Sequence, residues 1–222
     1  MGIQLPRWVW IGAVLLSSVA GMVNVVGFLG FEHLFLSHMT GTTSQLGIAL
    51  AHGDWRSVGQ LWALIIAFCL GATCSGLIVQ DSTLILGRRY GVVLILEAIL
   101  LLAAVYLFKQ QQIWGALCAA AACGMQNAMA TTFSGAIIRT THLTGMFTDL
   151  GIGLGHLLRG LPLQMRRLTL SGLIASGFLA GGMIGALLFD RLQYDALLAP
   201  ALLTGATGSG YVIYQHWTRR QR

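Results

Sequence analysis

Charge is what this sequence has least of. Only 9% of its 222 residues are Asp, Glu, Lys or Arg, against about 25% in an ordinary soluble domain. So little charge cannot solvate a water-facing surface, which excludes the soluble globular classes and leaves an integral membrane protein. The acids are scarcer than the bases, giving a net charge of +6 and a pI near 9.6. The bases sit in short loops and at the tail, as cytoplasm-facing orientation signals and contacts to anionic headgroups do. No motif supports a nucleic-acid partner.

Catalytic motifs are missing as well. There is no nucleophile–base pattern, no phosphate loop and no HExxH, so no enzyme activity and no cofactor is expected. The four cysteines, Cys69, Cys74, Cys118 and Cys123, lie within apolar stretches at spacings that suit neither a zinc site nor a disulfide framework. They read as small packing residues.

What the chain has is hydrophobic length, at 56% apolar residues and a mean hydropathy of +0.76. Six runs reach the ~20 residues needed to cross a bilayer: 8–29, 57–79, 90–108, 113–133, 168–189 and 196–216. Trp8, Trp10, Trp55, Trp114 and Trp217 lie near their ends, as interfacial anchors. Gly71 and Ser75, answered by Gly177, Gly181 and Gly185, allow close helix packing. The N-terminal stretch MGIQLPRWVWIGAVLLSSVAG imitates a signal peptide. Its counterpart in the second half argues that it is retained.

Two polar segments interrupt this pattern, and they match. SHMTGTTSQLGIALAHG (37–53) and THLTGMFTDLGIGLGHL (141–157) are identical at eight of 17 positions with an offset of 104. GMVN (21–24) answers GMQN (124–127) at an offset of 103. The expected fold is therefore an all-α polytopic membrane protein made of two tandem repeats of about a hundred residues, 1–110 and 111–222, in one membrane domain. Each repeat holds one broken or re-entrant helix. If both polar segments cross, there are eight spans and the repeats run parallel. If both dip and return, there are six and the repeats are inverted. Counting Lys and Arg with the N-terminus inside gives nine in and four out for eight spans, ten and three for six, which does not separate them. Residues 31–52, if helical throughout, would reach roughly 33 Å, and this favours eight.

Gly41 and Gly145 weaken a helix, Thr40 and Thr144 are good N-caps, and a fresh helix follows each. Paired breaks at matching positions of two halves are the sequence signature of a transporter binding site. A helix N-terminus there favours an anion or the negative end of a polar solute. His38 and His142 can donate to such a ligand or relay protons. Thr42, Gln45, Arg139 and Asp149 complete the expected set, Gln45 answering Asp149 and Phe35 answering Arg139, so the charge sits on the second repeat. Asn24 and Asn127 are matched amides expected to line the same cavity. Glu97, alone in a plain apolar run, is a proton carrier or a neutral acid bonded to another helix. His52 and His156 fall at segment ends near the headgroups. The two motif histidines could share a metal, but no Cys or carboxylate pair joins them, so no metal site is expected. Structurally, Thr, Ser and Gly also serve as interhelical glue.

With FLSHMTGTTSQLG and RTTHLTGMFTDLG, the chain resembles the YoaK-like family of small bacterial inner-membrane proteins of unknown function. The resemblance covers nearly the whole chain and rests on the twin His-x-Thr-Gly motifs. It implies a multi-pass bacterial inner-membrane protein, often taken for a transporter, with no established substrate. The family pattern has Asp where Asn24 stands and Asn where Thr42 stands, so a charged role at position 24 does not carry over. The expected function is a small transporter or channel for a small polar or anionic solute, with both termini cytoplasmic. The alternative is a non-transporting membrane partner or sensor. Beside the bilayer and the solute, a homodimer is one way for so small a chain to enclose a pathway.

Overall fold

The computed structural model describes residues 7–79, 88–134 and 138–220. Among them are eight α-helices and no strand: α1 (Arg7–Gly30), α2 (Met39–His52), α3 (Trp55–Val79), α4 (Arg88–Lys109), α5 (Ile113–Ser134), α6 (Leu143–Leu158), α7 (Met165–Leu192) and α8 (Leu198–Arg220). A 3₁₀ turn, Gln193–Leu197, joins α7 to α8. Four segments are long and apolar enough to cross a membrane: 8–30, 55–79, 89–109 and 165–217, the last holding both α7 and α8. α5 is 22 residues long and carries Gln126 and Asn127. The six apolar runs of the sequence thus become the six long helices. Trp55, Trp114 and Trp217 stand exposed at their ends, where the bilayer interface would lie.

Two hydrophobic clusters mark the two poles of the bundle. One gathers Val23 and Val26 of α1, Leu61 of α3, Phe108 of α4, Ala116 of α5 and Phe189 of α7. The other gathers Val9 of α1, Val79 of α3, Tyr90 of α4, Phe133 of α5 and Leu170 of α7. α1, α4 and α7 therefore run one way, and α3 and α5 the other. α8 lies antiparallel to α4, with Gly208 against Gly91 and Gly205 beside Ala98.

The helices pair across the halves. α1 packs along α7, and α3 along α5. A Cβ at Gly21 would run into the carbonyl of Phe178, and one at Gly181 into that of Ser18; Gly124 meets Phe68 and Gly71 meets Ala121 in the same way. Without hydrocarbon-driven sorting inside a bilayer, such backbone approach is what brings helices together. Gly71 therefore plays the part of Gly181.

Since α1 ends and α3 begins at the same pole, residues 31–54 leave and return on one side. The described residues 138–164 lie toward the opposite pole, where α5 ends and α7 begins. After α1 the chain reverses through Glu32 and His33, both left-handed with φ of 46° and 53°. It then runs back along α1, Phe35 stacking on Phe28 with ring centroids 4.4 Å apart. α2 and α6 climb out from the interior. α2 turns into α3 at Gly53 (φ 69°), and Asp54 caps α3 by accepting from the N–H and hydroxyl of Ser57. Those bonds hold the Asp54 carboxyl below its ordinary pKa.

The eight expected spans are not matched by eight long helices. α2 and α6 have 14 and 16 residues, reaching about 21–24 Å against the ~30 Å of a hydrocarbon core. Residues 31–38, which would have supplied the missing length, are not helical. The 81–89 loop, whose side of the membrane separates the two arrangements, lies mostly outside the described residues, as do the first six residues of the leader-like stretch.

Candidate functional site

The N-termini of α2 and α6 meet in the middle of the bundle, beside Phe68 and Phe178 near the midpoints of α3 and α7. Between them is a half-open cavity of about 360 Å³. Its fourteen lining residues are seven matched pairs. Asn24 faces Asn127, Ser37 answers Thr141, and Met39 answers Leu143. His38 pairs with His142, Thr40 with Thr144, and Phe68 with Phe178. The seventh pair is Phe35 and Arg139, and it is the one that differs in charge.

The His-x-Thr-Gly motif has a clear structural meaning. His38 and His142 are the residues from which α2 and α6 start, and neither helix receives a side-chain cap. Each imidazole sits against the glycine of its own first turn. A Cβ at Gly41 would collide with the His38 ring, and one at Gly145 with the His142 ring. Glycine is there to seat the imidazole, not to break the helix. Thr40 and Thr144, expected as caps, sit inside the first turn instead. The helix starts earlier because the His38 carbonyl takes the N–H of Thr42 at 3.0 Å and its hydroxyl at 3.1 Å. The N–H groups of both first turns receive no side-chain acceptor.

Of the expected site residues, seven line this cavity: Asn24, His38, Thr40, Asn127, Arg139, His142 and Thr144. Gly41 and Gly145 lie beneath the rings. Thr42 is buried and bonded to His38. Gln45 is exposed on α2 and does not line the cavity. Asp149 is also removed from it. Both its oxygens accept from Arg167 of α7, at 2.9 and 2.6 Å, so the carboxylate clasps α6 to α7. Glu97 lies outside the cavity too, fully buried between α4 and α5, where it accepts from Gln126 at 3.0 Å.

Phe35, Ser37, Met39, Phe68, Thr141, Leu143 and Phe178 were not anticipated. Most flank the motif, and extending the 104-residue match by a few positions would have found them. Phe68 and Phe178 needed the helix register, because their offset is 110. A second cleft, about 320 Å³ and almost wholly apolar, lies between α1, α4 and α8. Its only side chains with a polar group are Trp8, Tyr90, Thr204, Thr207 and Tyr211 among the described residues. Among the described residues no group of three His, Cys, Asp or Glu could hold a metal ion.

A family model described as "Protein of unknown function (DUF1275)" matches residues 12–209. The chain belongs to that family. The DUF1275 match takes in both His-x-Thr-Gly motifs and every residue of the central cavity. No curated protein and no solved structure matches the chain significantly.

Proposed function

We propose that this DUF1275 member is a small membrane transporter or channel for a small polar or anionic solute, bound where α2 and α6 meet. The observation that carries this is the cavity itself, lined entirely by matched residues around two uncapped helix N-termini. Such termini favour the negative end of a solute, and Arg139 adds a cation on one side. The buried Oδ1 of Asn127 has no partner, so a solute that also carries an N–H or O–H fits best. Polar, non-helical backbone survives at membrane depth only around a protein-lined or wet cavity.

The helix directions support six spans and two re-entrant segments, with the halves as inverted repeats. The bases support an orientation. Arg7, Arg88, Arg89, Arg159, Arg166, Arg167, Arg219 and Arg220 belong to the pole where α1 begins and α8 ends, whereas Arg56, Lys109 and Arg191 belong to the other. The positive-inside rule then puts both termini in the cytoplasm of a bacterial inner membrane. Within the family the twin motifs favour YoaK-like proteins. His38, His142 and Arg139 are exposed at the open side of the cavity, and lipid tails cannot satisfy them. A second copy covering this side would enclose the pathway. The same open side is the one observation favouring the non-transporting partner or sensor.

A thermal-shift screen of the purified protein against small anions, amino acids and nucleobases tests the binding step, beside the His38→Ala/His142→Ala variant. A ligand at 100 times its Kd stabilises by about 2.7 kcal/mol. A hit that survives in the double variant would move the site elsewhere. Solute flux into vesicles that the double variant abolishes would support transport; binding without flux would favour the sensor.

A further inference from the structure

Among the described residues, the most deeply buried acid is wired to the cavity. Glu97 of α4 is 2% exposed, Gln126 of α5 1% and Thr140 0%. The Thr140 hydroxyl donates to Oε1 of Gln126 at 3.1 Å, and the Gln126 amide donates to Oε1 of Glu97 at 3.0 Å. The other carboxyl oxygen, Oε2, is buried with no partner. Thr140 stands between Arg139 and Thr141, which both line the central cavity. The side-chain chain Glu97–Gln126–Thr140 therefore begins in a dry helix interface and ends on the cavity wall.

Few other groups bear on Glu97. α5 presents Cys123, and α8 has no titratable or charged residue from Leu198 to Gly210. The cysteines of α3, Cys69 and Cys74, are exposed. Asp195, in the turn before α8, is paired with Lys109 at the pole. Among the described residues no cation pairs with the carboxyl, and no cluster of ligands gathers there for a metal. Oε2 is therefore free to take a proton.

We propose that Glu97 is a proton site whose occupancy is transmitted through Gln126 and Thr140 to the cavity wall at Arg139–His142. A charged acceptor makes a hydrogen bond roughly twice as strong as a neutral one. Protonation of Oε2, by a proton taken from solvent, thus loosens the Gln126 amide, and with it the acceptor that holds Thr140. Anything bound against Arg139 and His142 then becomes linked to the proton, and the linkage is reciprocal. This deepens the binding role given to the cavity.

The test needs no ligand, so its failure is distinct from failure of the solute screen. Infrared spectra of the purified protein across its folded pH range would follow the protonated carboxyl band that Glu97→Gln removes. Hydrogen exchange of residues 138–146, corrected for intrinsic rates, would follow the cavity wall. The expected result is a single midpoint shared by the band and by a several-fold loss of protection. Glu97→Gln should abolish both pH dependences. Thr140→Val should keep the band and lose the response of the wall, and Thr140→Ser should restore it. A band that titrates while the wall of the unaltered protein ignores pH overturns the proposal. So does the absence of any Glu97-dependent band, or a wall response that persists in Thr140→Val.

Discussion

In the first half of the molecule the segment between α1 and α3 is tied to its long helix by Asn24, whose Oδ1 accepts from both the N–H and the hydroxyl of Ser37 at 3.0 Å. The matching residues of the second half, Asn127 and Thr141, do not repeat this. There the tie is made one position earlier, by Thr140 on Gln126, where the first half has Leu36 and Val23. The slip frees the Asn127 carbonyl and brings Glu97 into connection with the loop. Two segments of nearly the same backbone thus do different work. One is locked by a single amide; the other carries the cation Arg139 and is tied through Gln126 to the buried acid of α4.

The largest expected effects test what the halves share. Gly71→Ala and Gly181→Ala each push a Cβ into the backbone of a partner helix. Each should cost several kcal/mol by overpacking, of the order of 3 or more where neither backbone can yield. Thermal melting that spares one and collapses the other would end the equivalence of the two helix pairs. Gly41→Ala and Gly145→Ala come next. Each evicts an imidazole and should cost about 1–3 kcal/mol, with equal losses of any ligand's thermal shift.

Smaller effects should separate the halves. Asn24→Ala leaves the buried Ser37 N–H and hydroxyl unpaired and should lower stability by about 1–3 kcal/mol. Asn127→Ala removes an oxygen with no partner and should leave the melting temperature nearly unchanged. Equal losses would erase the one-residue slip. Asp149→Asn should cost ~1 kcal/mol or less, because Arg167 is 62% exposed and solvent screens the pair; ligand binding should survive. The smallest effect belongs to Asp54. Its carboxyl is held below its ordinary pKa, so its contribution is complete above that ordinary value and fades as pH falls through the lowered one. Hydrogen exchange at the Gly53–Ser57 turn should rise in acid beyond the intrinsic rate, and Asp54→Asn should remove that pH dependence.

The long helices were legible because apolar length and interfacial Trp report directly on a bilayer. Part of the cavity lining was legible because a broken pattern occurs twice. Helix direction was not, since a 24-residue connection between two spans is long enough either to cross again or to return, and base counts balance in both cases. Asp149 was misplaced for a related reason. Its partner, Arg167, is 18 positions away on the next helix, and only packing brings them together. The adjacent amides Gln126 and Asn127 cannot be assigned their separate jobs from residue type alone. Nor does Gly41 announce that it makes room for a ring three residues back.

The cross-pairing of the halves bears on how the molecule comes to exist. α1 has its main contact with α7, and α3 with α5. During synthesis the first half must therefore wait in the bilayer with its glycine-lined faces uncovered until most of the second has been inserted. A ribosome that stops after α4 releases a chain with the right spans and no finished surface. Split at the turn between α4 and α5, the protein should survive only as two co-expressed fragments that find one another. The continuous chain spares them that search.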